Sequence, residues 1–118
     1  MTQDIALSRG AVTHFHEELD QQKFDEIYKE AAPDFQKATT QDRFVAIASA
    51  VHRKLGVVKD ATQTSVNVNF DLSGTRVFAV YSTKFDGGDA EERFTWKIAG
   101  AKAMLVGYDI NSAALILK

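Results

Sequence analysis

VNVNFDLSGTRVFAVYSTKFDGGDAEERFTWKIAGAKAMLVGYDIN, residues 66–111, decides the fold. Three turn signals divide it: Ser73-Gly74, Gly87-Gly88 and Gly100-Ala101. Glycine tolerates the positive φ that tight hairpin turns need, so the stretch predicts a four-stranded antiparallel meander. If the first two signals are two-residue turns, Phe70 faces Val77, Tyr81 faces Phe94, Ala79 faces Trp96 and Val77 faces Ile98. Directly opposed residues share a sheet face. Val66, Val68, Phe70, Val77, Tyr81, Phe94, Trp96 and Ile98 then gather on one side. Asn67, Asn69, Glu91, Arg93, Thr95 and Lys97 lie on the other. A slip of one residue would destroy this agreement.

The last strand leaves two registers open. A two-residue turn at Gly100-Ala101 puts Leu105 opposite Trp96 and sends Met104, Val106, Tyr108 and Ile110 to the far side, beside Phe78 and Val80. An odd-length turn brings Met104 and Val106 inward. The first register is preferred. It leaves an apolar patch of Phe78, Val80, Met104, Val106 and Tyr108 on the far side, of the kind that marks an interface.

Working outward, Ile5, Val12, Phe15 and Leu19 recur at helical spacing, with Ala11 and His16 beside them. They predict a helix from about Ile5 to Gln21, with frayed residues before it and Gly10 either at its true start or at a close approach. A short helix over 23–31 carries Phe24, Ile27 and Tyr28 and stops at Ala32-Pro33. Residues 34–37 read as a connecting turn anchored by Phe35. Thr39 or Thr40 caps a third helix, whose stripe is Phe44, Ile47, Ala48, Val51 and Leu55 and which Gly56 follows as the C′ residue. Residues 57–64 lead into the meander. The apolar tail from Ser112 to Lys118 either continues the last strand or docks on a partner. Helices followed by strands read as α+β: three N-terminal helices packed on a four-stranded antiparallel meander, a half-open cone.

The 118 residues fit one domain, 1–118, large enough for a core without staples. There are no cysteines, which excludes disulfides and thiolate ligands. The net charge of −2 and the lack of a basic tract argue against nucleic acid as a partner. No apolar run approaches the roughly 20 residues that span a bilayer. Met1-Thr2-Gln3-Asp4 has no basic start or apolar core of a signal peptide. The compartment stays open, since a periplasmic or secreted protein shorn of its leader would read the same.

The segment Phe24-Asp25-Glu26-Ile27-Tyr28 with Phe35 a turn later, the helix from Thr40 to Gly56, and the pattern Trp96-Lys97-Ile98 … Leu105-Val106-Gly107-Tyr108-Asp109-Ile110-Asn111 together resemble nuclear-transport-factor-2-like domains of the cystatin-like superfamily. They are similar in particular to small bacterial, often exported, families of unknown function. The resemblance implies a cone with a pocket between helices and sheet, and a homodimer formed through the sheet. Activity within the superfamily ranges from isomerases and dehydratases to non-enzymes, so fold does not name function.

Candidate residues follow. Tyr28, Phe35, Tyr81, Phe94 and Trp96 are expected to line a pocket for a small apolar ligand. In the preferred register Glu92 and Asp109 pair across the last two strands. With Tyr28 they are the weak candidates for proton transfer, because paired carboxylates push one pKa upward. His14 and His16 lie on different sides of a helix, and His52 is isolated; all three read as surface or cap groups. Neither metal nor other cofactor is expected. Asp86-Gly87-Gly88-Asp89 lacks calcium-loop spacing and reads as a hairpin turn. No Walker motif, dinucleotide fingerprint or nucleophile elbow is present. A cystatin-type inhibitor would need a Gln-x-Val-x-Gly loop, which is missing. The leading expectation is a non-catalytic domain that binds a small apolar ligand or a protein partner and forms a homodimer. The alternative is a small isomerase- or dehydratase-like enzyme.

Overall fold

The computed structural model describes residues 2–117. The expectations for Met1 and Lys118 lie outside the described residues. Four helices precede the sheet and a fifth follows it: α1 (Thr2–Asp20), α2 (Phe24–Glu30), α3 (Pro33–Ala38), α4 (Gln41–Leu55), β1 (Val58–Asp71), β2 (Gly74–Phe85), β3 (Gly88–Ala99), β4 (Lys102–Asn111) and α5 (Ala113–Leu117). The sheet is antiparallel and open, in the order β1-β2-β3-β4. The fold class is α+β, as the sequence implies.

Strand faces follow the alternation. Val77, Ala79, Tyr81, Phe94, Trp96 and Leu105 are buried, packed with Val12, Phe15 and Leu19 of α1 and with Phe44, Ala48, Val51 and Leu55 of α4. Pairing differs from expectation by two positions. Val77 faces Trp96, Ala79 faces Phe94, Tyr81 faces Glu92 and Phe70 faces Thr75. Each of the first two turns begins one residue earlier than expected, at Leu72-Ser73 and Asp86-Gly87. The positive φ is carried just after each turn, by Gly74 (φ 117°) and Gly88 (φ 153°). Asp71 holds the first turn by accepting from the Ser73 amide at 2.8 Å. A two-residue shift preserves parity, so the faces survive the error. Phe70 is the casualty. It has the right parity but lies at the hairpin tip, 80% exposed.

The third turn is as expected, with Trp96 facing Leu105. Beyond it Val106 is an extra residue opposite the Thr95–Trp96 step, a β-bulge that reverses parity. Tyr108 therefore pairs with Phe94 and Ile110 with Glu92, both facing inward, where the sequence reading sent them to the far side. The same bulge separates Glu92 from Asp109, which pairs with Arg93 instead.

Other boundaries also move. Helix α1 starts at Thr2 rather than near Ile5, and Gly10 lies in its interior. Residues 34–37 are helical because Pro33 sits at the first position of α3, where its fixed φ suits a helix and its missing N–H costs nothing. Strand β1 begins at Val58, eight residues before the expected start, and absorbs its polar sequence through two register shifts. Ile47 is exposed, while Phe44, Ala48, Val51 and Leu55 are buried. Thr40 caps α4 by accepting from the Arg43 amide. The tail turns back on its own chain as α5, with the Leu115 carbonyl held by Lys54 Nζ at 3.1 Å. Among the described residues, no helix is long and apolar enough to cross a membrane.

Candidate functional site

Two polar arrangements stand out against the apolar packing. The first is internal. His16 follows Val12 by four positions, which puts it on the buried stripe of α1. Glu92 occupies an inward position of β3 between Ala90 and Phe94 and is 0% exposed. His16 Nε2 lies 2.7 Å from Glu92 Oε1, and the same oxygen accepts from Thr83 Oγ1 at 2.6 Å. Glu92 Oε2 accepts from the Tyr108 hydroxyl. Burial, and then the nearby Glu92 carboxylate, push the Tyr108 phenol well above its ordinary pKa. Four elements, α1, β2, β3 and β4, each supply one member. Both carboxylate oxygens are engaged, so the arrangement locks helix to sheet.

The second arrangement is open to solvent. A groove of about 640 Å³ runs between α1, α2 and the β3–β4 hairpin. Ala6, Leu7, Gly10, Ala11 and Phe15 form one wall, Ile27 and Ala31 another, and Trp96, Ala103 and Leu105 the third. Trp96 is 4% exposed, and its indole N–H has no hydrogen-bond partner among the described residues. An unmet buried donor costs about 1–3 kcal/mol; the indole nitrogen is sealed from solvent, so only the rest of the Trp96 residue lines the groove.

His14, Glu18 and Glu30 also line this groove. His14 and Glu18 are one helical turn apart on α1, and Glu30 ends α2. His14 Nε2 lies 3.3 Å from Glu18 Oε1 and 3.1 Å from Glu30 Oε1. Burial, and then a hydrogen bond to Glu30 and its charge, push the Glu18 carboxyl up to about 7; His14 opposes the rise.

The expected site residues scatter. Trp96 lies in the groove. Phe35 and Phe94 are packed into the core, Phe94 with its ring 5.2 Å from that of Phe15 and 5.1 Å from that of Tyr108. Tyr81 donates to Gln63 Oε1 at 3.3 Å. Tyr28 donates to the carbonyls of Gln36 and Thr39, at 3.0 and 2.6 Å. The three proposed proton-transfer residues do not converge. Glu92 is sealed, Asp109 is exposed on the edge strand, and Tyr28 is committed to α3 and the Thr39 carbonyl. Of the far-side residues, Phe78 is 38% exposed and Val80, Met104 and Val106 are half-buried, whereas Tyr108 turns inward.

Sequence reasoning missed His16 as a core residue and His14–Glu18–Glu30 as a cluster. The helical spacing of His16 from Val12, and of His14 from Glu18, was the available signal. Glu30 joins only through the packing of α2 on α1.

A family model for a protein of unknown function (DUF4019) matches residues 11–108. No curated protein matches the chain.

Proposed function

We propose that this chain, which belongs to the DUF4019 family of proteins of unknown function, is a binding domain for a small apolar molecule. The observation that carries this reading is the apolar groove walled by Leu7, Phe15, Ile27, Trp96 and Leu105. Apolar walls with a few placed polar groups are the usual make-up of a ligand site, and 640 Å³ falls in the usual size range. Helices packed on one face of a four-strand meander support the resemblance to nuclear-transport-factor-2-like domains, with the groove serving as the mouth of the half-open cone.

The chain has one tryptophan, so its fluorescence reports this groove alone. Titration with anilinonaphthalene sulfonate, an apolar probe, is expected to give saturable energy transfer from Trp96. Ala11→Phe fills the groove and is expected to abolish it. No saturable transfer, or equal transfer in A11F, would refute the reading.

A homodimer through the face opposite the core belongs to the same proposal. Phe78 is exposed there, with Val80 and Met104 partly so. Asp34 already covers one end of that face, where it meets Arg76 at 3.1 Å and Lys97 at 3.9 Å. Light scattering after size exclusion is expected to give the dimer mass, and Phe78→Lys the monomer mass. A monomer at high micromolar concentration in the wild type would remove the dimer and leave the groove reading standing.

A further inference from the structure

We propose that His14, Glu18 and Glu30 form a binding site for a divalent transition-metal ion of the zinc type, at the end of the groove. The inference goes beyond the ligand-binding reading and rests on the geometry of three donors.

Zinc takes imidazole nitrogen and carboxylate oxygen at about 2.0–2.2 Å, and tetrahedral angles then set neighbouring donors about 3.3–3.6 Å apart. His14 Nε2 stands 3.3 Å from one glutamate oxygen and 3.1 Å from the other, and all three donors lie within 4.8 Å of one another. The spacing therefore needs only a slight spread to admit an ion. The scaffold is suited to hold it. His14 and Glu18 share one face of a long helix, four residues apart, and Glu30 closes from the end of the neighbouring helix.

Charge points the same way. Two carboxylates and an imidazole crowd together. A cation in that place would balance both acids. The His14 side chain is 59% exposed and that of Glu30 51%, so an ion has a path from solvent. Three protein donors leave a fourth position open, which is the arrangement of zinc sites that bind an exchangeable ligand. All three residues line the groove, so a groove occupant could meet the ion.

The test uses the tag-free full chain, stripped with chelator and titrated with Zn²⁺ by calorimetry. One equivalent is expected to bind saturably. Co²⁺ is expected to give the intense visible absorption of a tetrahedral site. Loss of an outer partner alone costs about 10–100-fold in metal affinity, so His14→Ala and Glu30→Gln are each expected to weaken binding at least that much. Both side chains are half exposed, and far-UV circular dichroism checks that the variants fold. Glu26→Gln removes a neighbouring acid that is not a donor, and is expected to change affinity less than about threefold. Absence of saturable binding would overturn the site. So would unchanged affinity in H14A and E30Q, or an equal loss in E26Q, which would mean diffuse attraction to acidic surface. Trp96 energy transfer in chelator reads the groove by itself, so either inference can fail alone.

Discussion

His16 and Glu92 stand seventy-six positions apart in the chain, and their side chains meet at 2.7 Å inside the core. The pair is the polar joint between α1 and the sheet. Each partner is buried because it takes a place in an apolar pattern, and each is acceptable there because the other satisfies it.

Removing one side of that joint strands the other. Glu92→Ala leaves His16, Thr83 and Tyr108 facing a void. Each buried hydrogen-bonding group left without its partner costs about 1–3 kcal/mol. Urea unfolding is expected to show a loss of that order. Glu92→Gln keeps the volume and some of the hydrogen bonds, and is expected to lose less. A loss below about 1 kcal/mol in E92A would mean that the joint does not hold the helix.

Tyr108 sets an alkaline limit. Burial and the Glu92 carboxylate raise its folded pKa well above the ordinary 10. In the unfolded chain the phenol ionises near its ordinary value, so above that pH the unfolded state holds fewer protons than the folded one. Stability then falls as pH rises, and it is unaffected by this group below about pH 9. Absorbance at 295 nm is expected to show one tyrosine ionising only as the fold is lost. Tyr108→Phe should remove that coupling at the expense of about 1–2 kcal/mol at neutral pH. Ionisation of all three tyrosines before unfolding would contradict the placement.

The fate of Tyr108 also marks how far the sequence could be read. Sheet faces were legible because Val77-x-Ala79-x-Tyr81 and Phe94-x-Trp96 alternate, and alternation survives an error of two in register. The bulge was not legible. It falls in Met104-Leu105-Val106, a continuous apolar run in which neither parity is penalised, so nothing in the residues places the extra one. Everything after it turned over, and the partners of Glu92 were lost with it. The turn positions erred for a local reason, since glycine was put inside each turn when the positive φ is needed one residue later. Beginning α3 at Pro33 was readable in principle, as proline is favoured at a helix start. The groove was not, because it depends on how α1 and α2 sit against the β3–β4 hairpin.

Glu18 predicts an acid-side effect of the same sign. Its folded carboxyl titrates at about 7 against 4.5 ordinarily, so the folded protein holds a proton that the unfolded chain releases between those values. Without metal, stability is greatest at or below about pH 4.5 as far as this group is concerned, declines as pH rises through the window, and is level above it. The groups around it are His14 on its own helix, Glu26, Lys29 and Glu30 on α2, and Lys102 on β4. Urea midpoints at pH 5 and 7.5 in chelator, compared between wild type and Glu18→Gln, isolate the effect. The wild type is expected to lose more stability over that interval. An identical interval in E18Q would show that the proton is not held there.

Two glycines should respond to alanine with opposite signs. Gly10 lies inside α1, and a Cβ built there meets nothing within 4 Å. Gly10→Ala gains helix propensity without a clash, and is expected to stabilise by about 0.5–1 kcal/mol. Gly87 lies in the β2–β3 turn, where its amide donates to the Leu55 carbonyl at 2.7 Å. A Cβ there would sit 2.9 Å from the Lys54 carbonyl oxygen and 3.1 Å from that of Leu55. Those atoms belong to the last turn of a capped helix and cannot swing aside as a side chain would. Gly87→Ala must push α4 from the sheet or distort the turn, and is expected to cost about 1–3 kcal/mol. Thermal and urea unfolding of the two variants measure the contrast. A neutral G87A would mean that the hairpin end and α4 are not in contact, and the placement of α4 on the sheet would fall with it.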